Sequence, residues 1–141
     1  MKPSVLKEVV VTFQMAPEME LIACEKASAV ARSMGMSQDK IDEVKLAVIE
    51  ACLNALEHSK AQPGEFQITF AVLGKQEPEA LQITVRDSGV GFQQPSARGA
   101  SKEKVKLHKR GWGLSIIEGL MDEVHIESGS GGTTVVMCKA R

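Results

Sequence analysis

The sequence predicts an α+β fold: a two-layer α/β sandwich with one mixed or mostly antiparallel sheet and helices on one of its faces. Three observations predict it. Apolar residues alternate at period two in Val9, Val11 and Phe13, in Phe66, Ile68, Phe70 and Val72, in Leu81, Ile83 and Val85, and in Val124 and Ile126. Two stretches, from Pro17 to Met34 and from Ile41 to His58, instead repeat their apolar residues at three- and four-residue steps, the period of a helix with one buried face. Gln67, Thr69, Gln82 and Thr84 are polar at the outward positions of two strands, as a sheet with one uncovered face requires.

A chain of 141 residues fits a single domain, 1–141, with a sizeable core. The formal net charge of −1 provides no global attraction to nucleic acid or to a membrane surface, so any partner must be recognised locally. No apolar run approaches a membrane span and the first residues lack the apolar core of a signal peptide, so a cytoplasmic protein is expected. Cys24, Cys52 and Cys138 are widely spaced and odd in number, which predicts reduced core thiols, and the three histidines have no ligand spacing for zinc.

In chain order, the first strand ends at Ala16 and Pro17, with Pro17 expected in the first turn of a helix. That helix is predicted to bury Met19, Ile22, Ala23, Ala27, Val30, Ala31 and Met34 and to stop at Gly35. Ser37 is the expected cap of the next helix, with Asp39 in its first turn. Its core face is Ile41, Val44, Ala47, Val48, Ala51, Cys52, Ala55 and Leu56, and beside that face Glu50, Asn54 and His58 stand four apart on one line. A carboxylate and a carboxamide so placed suit a metal ion and an activated nucleophile, although an ordinary solvated helix edge has the same pattern.

The parity of Leu81, Ile83 and Val85 continues to Asp87, so a carboxylate faces inward at the end of a strand. Such a group is costly to bury unless it receives hydrogen bonds. Gly89 and Gly91 follow and permit close backbone approach to a ligand. Residues 93–110 have no periodicity and carry Arg98, Lys102, Lys104, Lys106, Lys109 and Arg110 against Glu103, a loop expected to close on an anion. Gly111, Trp112 and Gly113 then open a helix through Leu114, Ile117, Leu120 and Met121, whose N-terminal amides suit phosphate. A hairpin with its turn at Gly129 to Gly132 and a final strand from Thr133 to Cys138 complete the order. No P-loop and no dinucleotide-binding glycine fingerprint is present, so a different nucleotide site is implied.

At Glu50, Asn54, Ala55 and His58, at Asp87, Gly89 and Gly91, at Arg110, Gly111 and Gly113, and at Gly132 and Thr133, the sequence resembles the GHKL ATP-binding superfamily. That superfamily includes gyrase B, MutL and histidine kinases, and the resemblance extends most closely to the small anti-sigma-factor serine kinases. It implies the Bergerat ATP-binding fold, ATP and Mg²⁺ as cofactors, and a lid at about residues 93–110. In these terms Asn54 holds Mg²⁺, Asp87 accepts from the adenine amino group and Glu50 is the general base. His58, Gly89, Gly91, Arg110, Gly111, Trp112, Gly113, Leu114 and Thr133 line the nucleotide. Residue chemistry alone leaves His58 an equal role at the helix end and leaves Trp112 either stacked on the nucleotide or packed beneath the lid. The resemblance further implies phosphorylation of a STAS-domain anti-anti-sigma protein, inhibition of a sigma factor, a homodimer, and no direct contact with nucleic acid or membrane. A non-catalytic or switch-type nucleotide-binding regulator is the alternative, since binding needs Asp87 and the glycines while turnover also needs a base.

Overall fold

The computed structural model describes residues 4–14, 16–58, 65–87, 111–129 and 132–141, with backbone only for 56–58, 111–114, 128–129 and 132. The elements run β1 (Ser4–Gln14), α1 (Met19–Ser33), α2 (Gln38–His58), β2 (Glu65–Gly74), β3 (Pro78–Asp87), α3 (Gly111–Leu120), β4 (Glu123–Gly129) and β5 (Gly132–Ala140). The strands form one sheet in the order β1-β2-β3-β5-β4, and every pairing is antiparallel. This is the expected α+β sandwich.

Register explains the core. Cross-strand partners project to the same face, so the inner face is built from rows that cross several strands. One row is Val11, Ile68, Val85, Val135 and Ile126; the next is Val9, Phe70, Ile83, Met137 and Val124. The central residues of both rows are buried and the edge residues half-buried. At one end of the sheet a further row runs Phe13, Phe66, Asp87 and Thr133, with the two phenyl rings 6.0 Å apart between centroids and tilted by 39°. At the other end Val72, Leu81 and Lys139 stand in line. Apolar rows are thus closed off by a carboxylate at one end and an ammonium at the other. We call these the front and rear ends.

The helices cover this face. Helix α2 packs against both α1 and α3, and it buries Ile41, Val44, Ala47, Val48, Ala51, Cys52 and Ala55 as its period predicts. Ser37 caps it by accepting a hydrogen bond from the Lys40 amide at 3.3 Å. Helix α1 ends at a left-handed Gly35 (φ 85°), and the Met36 amide reaches back to the Ala31 carbonyl at 3.2 Å, closing the last turn. Between β2 and β3, a Cβ at Gly74 would collide with the Glu77 carbonyl, which reserves that turn for glycine.

Three expectations need correction. Pro17 lies before α1 rather than in its first turn; the helix starts at Met19 behind Glu18, which holds a left-handed conformation (φ 74°). Ile22 is 52% exposed, because the neighbours of α1 take the side defined by Met19, Ala23, Ala27 and Val30, and Ile22 falls outside that stripe. Cys138 is half-buried rather than core, since it sits on the outer face of β5 between the inward Met137 and Lys139.

The contrast between rows and rim yields a stability prediction. Phe70→Ala should lower the unfolding free energy by about 3–5 kcal/mol, whereas Ile22→Ser should change it by no more than about 0.5 kcal/mol. Urea unfolding of the two variants beside the wild type measures both.

Candidate nucleotide-binding site

The direction of α2 over the sheet decides which residues can meet. Its first turns are held at the rear: Lys40 Nζ donates to the carbonyls of Arg141 (2.9 Å) and Ala140 (3.3 Å), and Glu43 Oε1 pairs with Lys139 Nζ at 2.7 Å. From Glu43 to Asn54 the helix advances about 16 Å at 1.5 Å per residue. Asn54 is thereby carried to the front, the end at which β3 delivers Asp87. Helix α3 is oriented the opposite way. Its last residue, Leu120, accepts a hydrogen bond through its carbonyl from Lys139 at the rear, so its first turn, with Gly111, Trp112, Gly113 and Leu114, opens toward the front.

Asp87 is 2% exposed and ends the inner-face row next to Phe66 on one side and Thr133 on the other. Thr133 is half-buried and is its direct partner across the β3–β5 ladder. Asn54 is 6% exposed, and its side-chain oxygen Oδ1 is buried with no hydrogen-bond partner among the described residues. A buried amide oxygen left unpaired is destabilising by about 1–3 kcal/mol, so its retention points to a ligand. Oxygen is the donor that Mg²⁺ takes, usually with few protein ligands and the rest from water and phosphate, and Asn54 fits that requirement. Glu50 is half-buried one turn earlier on α2, on the same line.

The structure therefore gathers Glu50, Asn54, Asp87, Thr133 and the first turn of α3 at one end of the domain. His58 closes α2 at that end, with its side chain outside the described residues, as are the side chains of Trp112 and Leu114; Gly111 and Gly113 are described by their backbone. Gly89, Gly91, Arg110 and the segment 93–110 lie wholly outside the described residues. A cysteine nucleophile is not on offer, for burial pushes the thiols of Cys24 and Cys138 up, and that of Cys52 far above the ordinary range. Among the described residues no group of three or more His, Cys, Asp or Glu side chains could hold a metal ion, and no helix is long and apolar enough to cross a membrane.

One buried charge escaped the sequence reading. The last strand continues past Cys138 to Ala140, and the parity of Thr133, Val135 and Met137 places Lys139 on the inner face. That parity was a usable signal.

Comparison with known proteins agrees with this fold. Residues 13–139 match the histidine kinase-like ATPase domain family. Serine-protein kinase RsbW of Bacillus licheniformis is 40% identical over 121 residues, covering 79% of this chain and 72% of the relative. RsbW of Bacillus subtilis is 38% identical over 120 residues with the same coverage. A crystal structure of the RsbU and RsbW domains of Rv1364c from Mycobacterium tuberculosis superposes with a TM-score of 0.70 at 21% identity. The match takes in 96% of this chain and 33% of that one, a likeness of fold. A histidine kinase domain of a blue-light activated histidine kinase from Erythrobacter litoralis shares the fold more loosely, at a TM-score of 0.52 and 20% identity over 85% of this chain and 59% of that one. The chain belongs to the histidine kinase-like ATPase family and, within it, to the branch of the RsbW serine-protein kinases.

Proposed function

We propose that the chain is a single ATP-binding domain, 1–141, that acts in the cytoplasm as a serine/threonine-protein kinase and anti-sigma factor. Its substrate is a STAS-domain anti-anti-sigma protein, and its other partner is a sigma factor that it holds inactive until partners switch. The observation that carries the reading is the convergence, at one end of an RsbW-branch domain, of buried Asp87, the unpaired Asn54 oxygen and the N-terminus of α3.

Each residue then has a chemical task. Asp87 accepts a hydrogen bond from the adenine amino group, with Thr133 beside it and Gly89 and Gly91 permitting close backbone approach. Gly111 and Gly113 direct backbone N–H groups and the positive end of the α3 dipole to the phosphates. Arg110 and the basic lid at 93–110 offset phosphate charge; His58, Trp112 and Leu114 complete the lining. Asn54 Oδ1 holds Mg²⁺, which when bound neutralises phosphate charge. Glu50 takes the proton from the attacking hydroxyl as its oxygen bonds the γ-phosphorus and the bond to the departing ADP breaks. Positioning and electrostatics supply most of the acceleration, as in phosphoryl transfer generally.

A homodimer is part of the proposal. Strand β1 lies at the edge of the sheet and exposes Val5, Leu6 and Val10, an edge suited to a second copy of the chain.

Three measurements test the reading. Asp87→Asn should abolish ATP binding, whereas Glu50→Gln should retain it and slow phosphate transfer to the cognate STAS protein by roughly 10²–10⁴-fold. Transfer at the wild-type rate by Glu50→Gln would remove that residue from the mechanism, and binding without transfer by the wild type would leave a nucleotide-responsive regulator. Asn54→Leu should fold with a nucleotide-free stability within about 1 kcal/mol of wild type, because it removes an unpaired buried oxygen, yet lose the Mg²⁺ dependence of ATP binding in titration calorimetry. Light scattering should give twice the chain mass of 15.2 kDa, and Val10→Lys should shift it toward the monomer.

A further inference from the structure

Lys139 occupies a position that its strand reserves for apolar side chains. It is 7% exposed on the inner face of β5, opposite Leu81 and in line with Met137 and Val135. Its ammonium pairs with Glu43 of α2 at 2.7 Å and donates to the carbonyl of Leu120, the last residue of α3. One side chain thus joins the sheet and two helices. A well-packed apolar residue at such a site is often as stabilising as a buried ion pair, so stability alone gives little reason for the lysine.

Helix α3 supplies the reason. Its last turn contains no basic residue, so its negative dipole end is met from another element, by Lys139. The neighbouring bonds fix that element in turn. Lys40 of α2 holds the carbonyls of Ala140 and Arg141, while the Ala140 amide donates to Asp122 Oδ2 at 2.7 Å and the Asp122 amide to the Cys138 carbonyl at 2.9 Å. The rear of α3 is therefore pinned to the end of β5 and the start of α2. Its front, about 15 Å away along ten residues, is the turn with Gly111 and Gly113. A swing of roughly 10° about the pinned end would move that turn by about 2.6 Å.

We infer that Lys139 is a positioning residue for phosphate binding: by clamping the C-terminal carbonyl of α3 against Glu43, it sets the aim of the α3 N-terminus at the nucleotide. The inference rests on the nucleotide reading above for its ligand, and on the Lys139 contacts for its mechanism.

The experiment compares wild type, Lys139→Met and Lys139→Arg in two ways. Hydrogen exchange of the nucleotide-free protein should show α3 amides of Lys139→Met exchanging about tenfold faster, with β2 and β3 unchanged. Titration should show ATP bound about tenfold more weakly by Lys139→Met, adenosine bound within twofold of wild type, and partial recovery of ATP binding in Lys139→Arg. Equal weakening of ATP and adenosine, or unchanged exchange in α3, would overturn the inference. Wild type binding neither ligand would defeat the nucleotide reading instead, while the exchange comparison would still decide whether Lys139 holds α3. If Lys139→Met does not fold, Glu43→Gln removes the ion partner at constant volume and is read by the same two measurements.

Discussion

Helix α2 buries Ile41, Val44, Ala47, Val48, Ala51 and Cys52 against the rest of the core, and the geometry of the front end depends on that burial. Full burial of a large aliphatic side chain is worth about 1.5–3 kcal/mol, so the helix cannot rotate without exposing several such groups at once. Rotation about its axis being fixed, Glu50 and Asn54 keep their line at the edge of the buried stripe. Translation and direction are fixed separately, by the rear contacts of Lys40 and Glu43 with the end of β5. Hydrophobic burial sets the face of the helix and polar contacts set its position.

The inner face of the sheet divides labour in the same way. Its two middle rows are wholly apolar, and the polar residues stand only where the rows end, Asp87 and Thr133 in front and Lys139 behind. A carboxylate or ammonium within the middle rows would be surrounded by side chains that offer no hydrogen bonds. At the row ends, helix termini, other strands and ligands can satisfy them. The fold thus keeps its charges at the two ends of one apolar slab, about 20 Å apart along the strands at roughly 3.3 Å per residue.

Asn54 is a local weak point of the core. Among the described residues its side-chain oxygen is buried without a hydrogen-bond partner, an arrangement that weakens a folded protein; under the proposed function a bound Mg²⁺ would satisfy it. Proteins commonly retain such destabilising groups where function requires them. The seven apolar core positions of α2 make the defect tolerable by anchoring the helix that carries it.

Much of this was legible in the residues. Period-two alternation and the 3.6-residue period place the strands and helices, and the parity of Leu81, Ile83 and Val85 predicts the inward Asp87, because side-chain direction is a property of the backbone repeat. The sequence reading failed at Ile22, whose hydrophobicity said core while the neighbours of α1 took another stripe, and at Lys139, where the strand was stopped two residues early, at Cys138 instead of Ala140. Glu50, Asn54 and the glycines likewise could be named from spacing and resemblance. Spacing could not say that Asn54, Asp87 and the start of α3 lie at one end of the molecule. Local sequence determines which way a side chain leaves its own element. Only the packing of elements, through the Lys40, Glu43 and Lys139 contacts made across about a hundred residues of chain, determines where that element begins and ends in space, because those contacts join groups whose mutual distance no local repeat encodes.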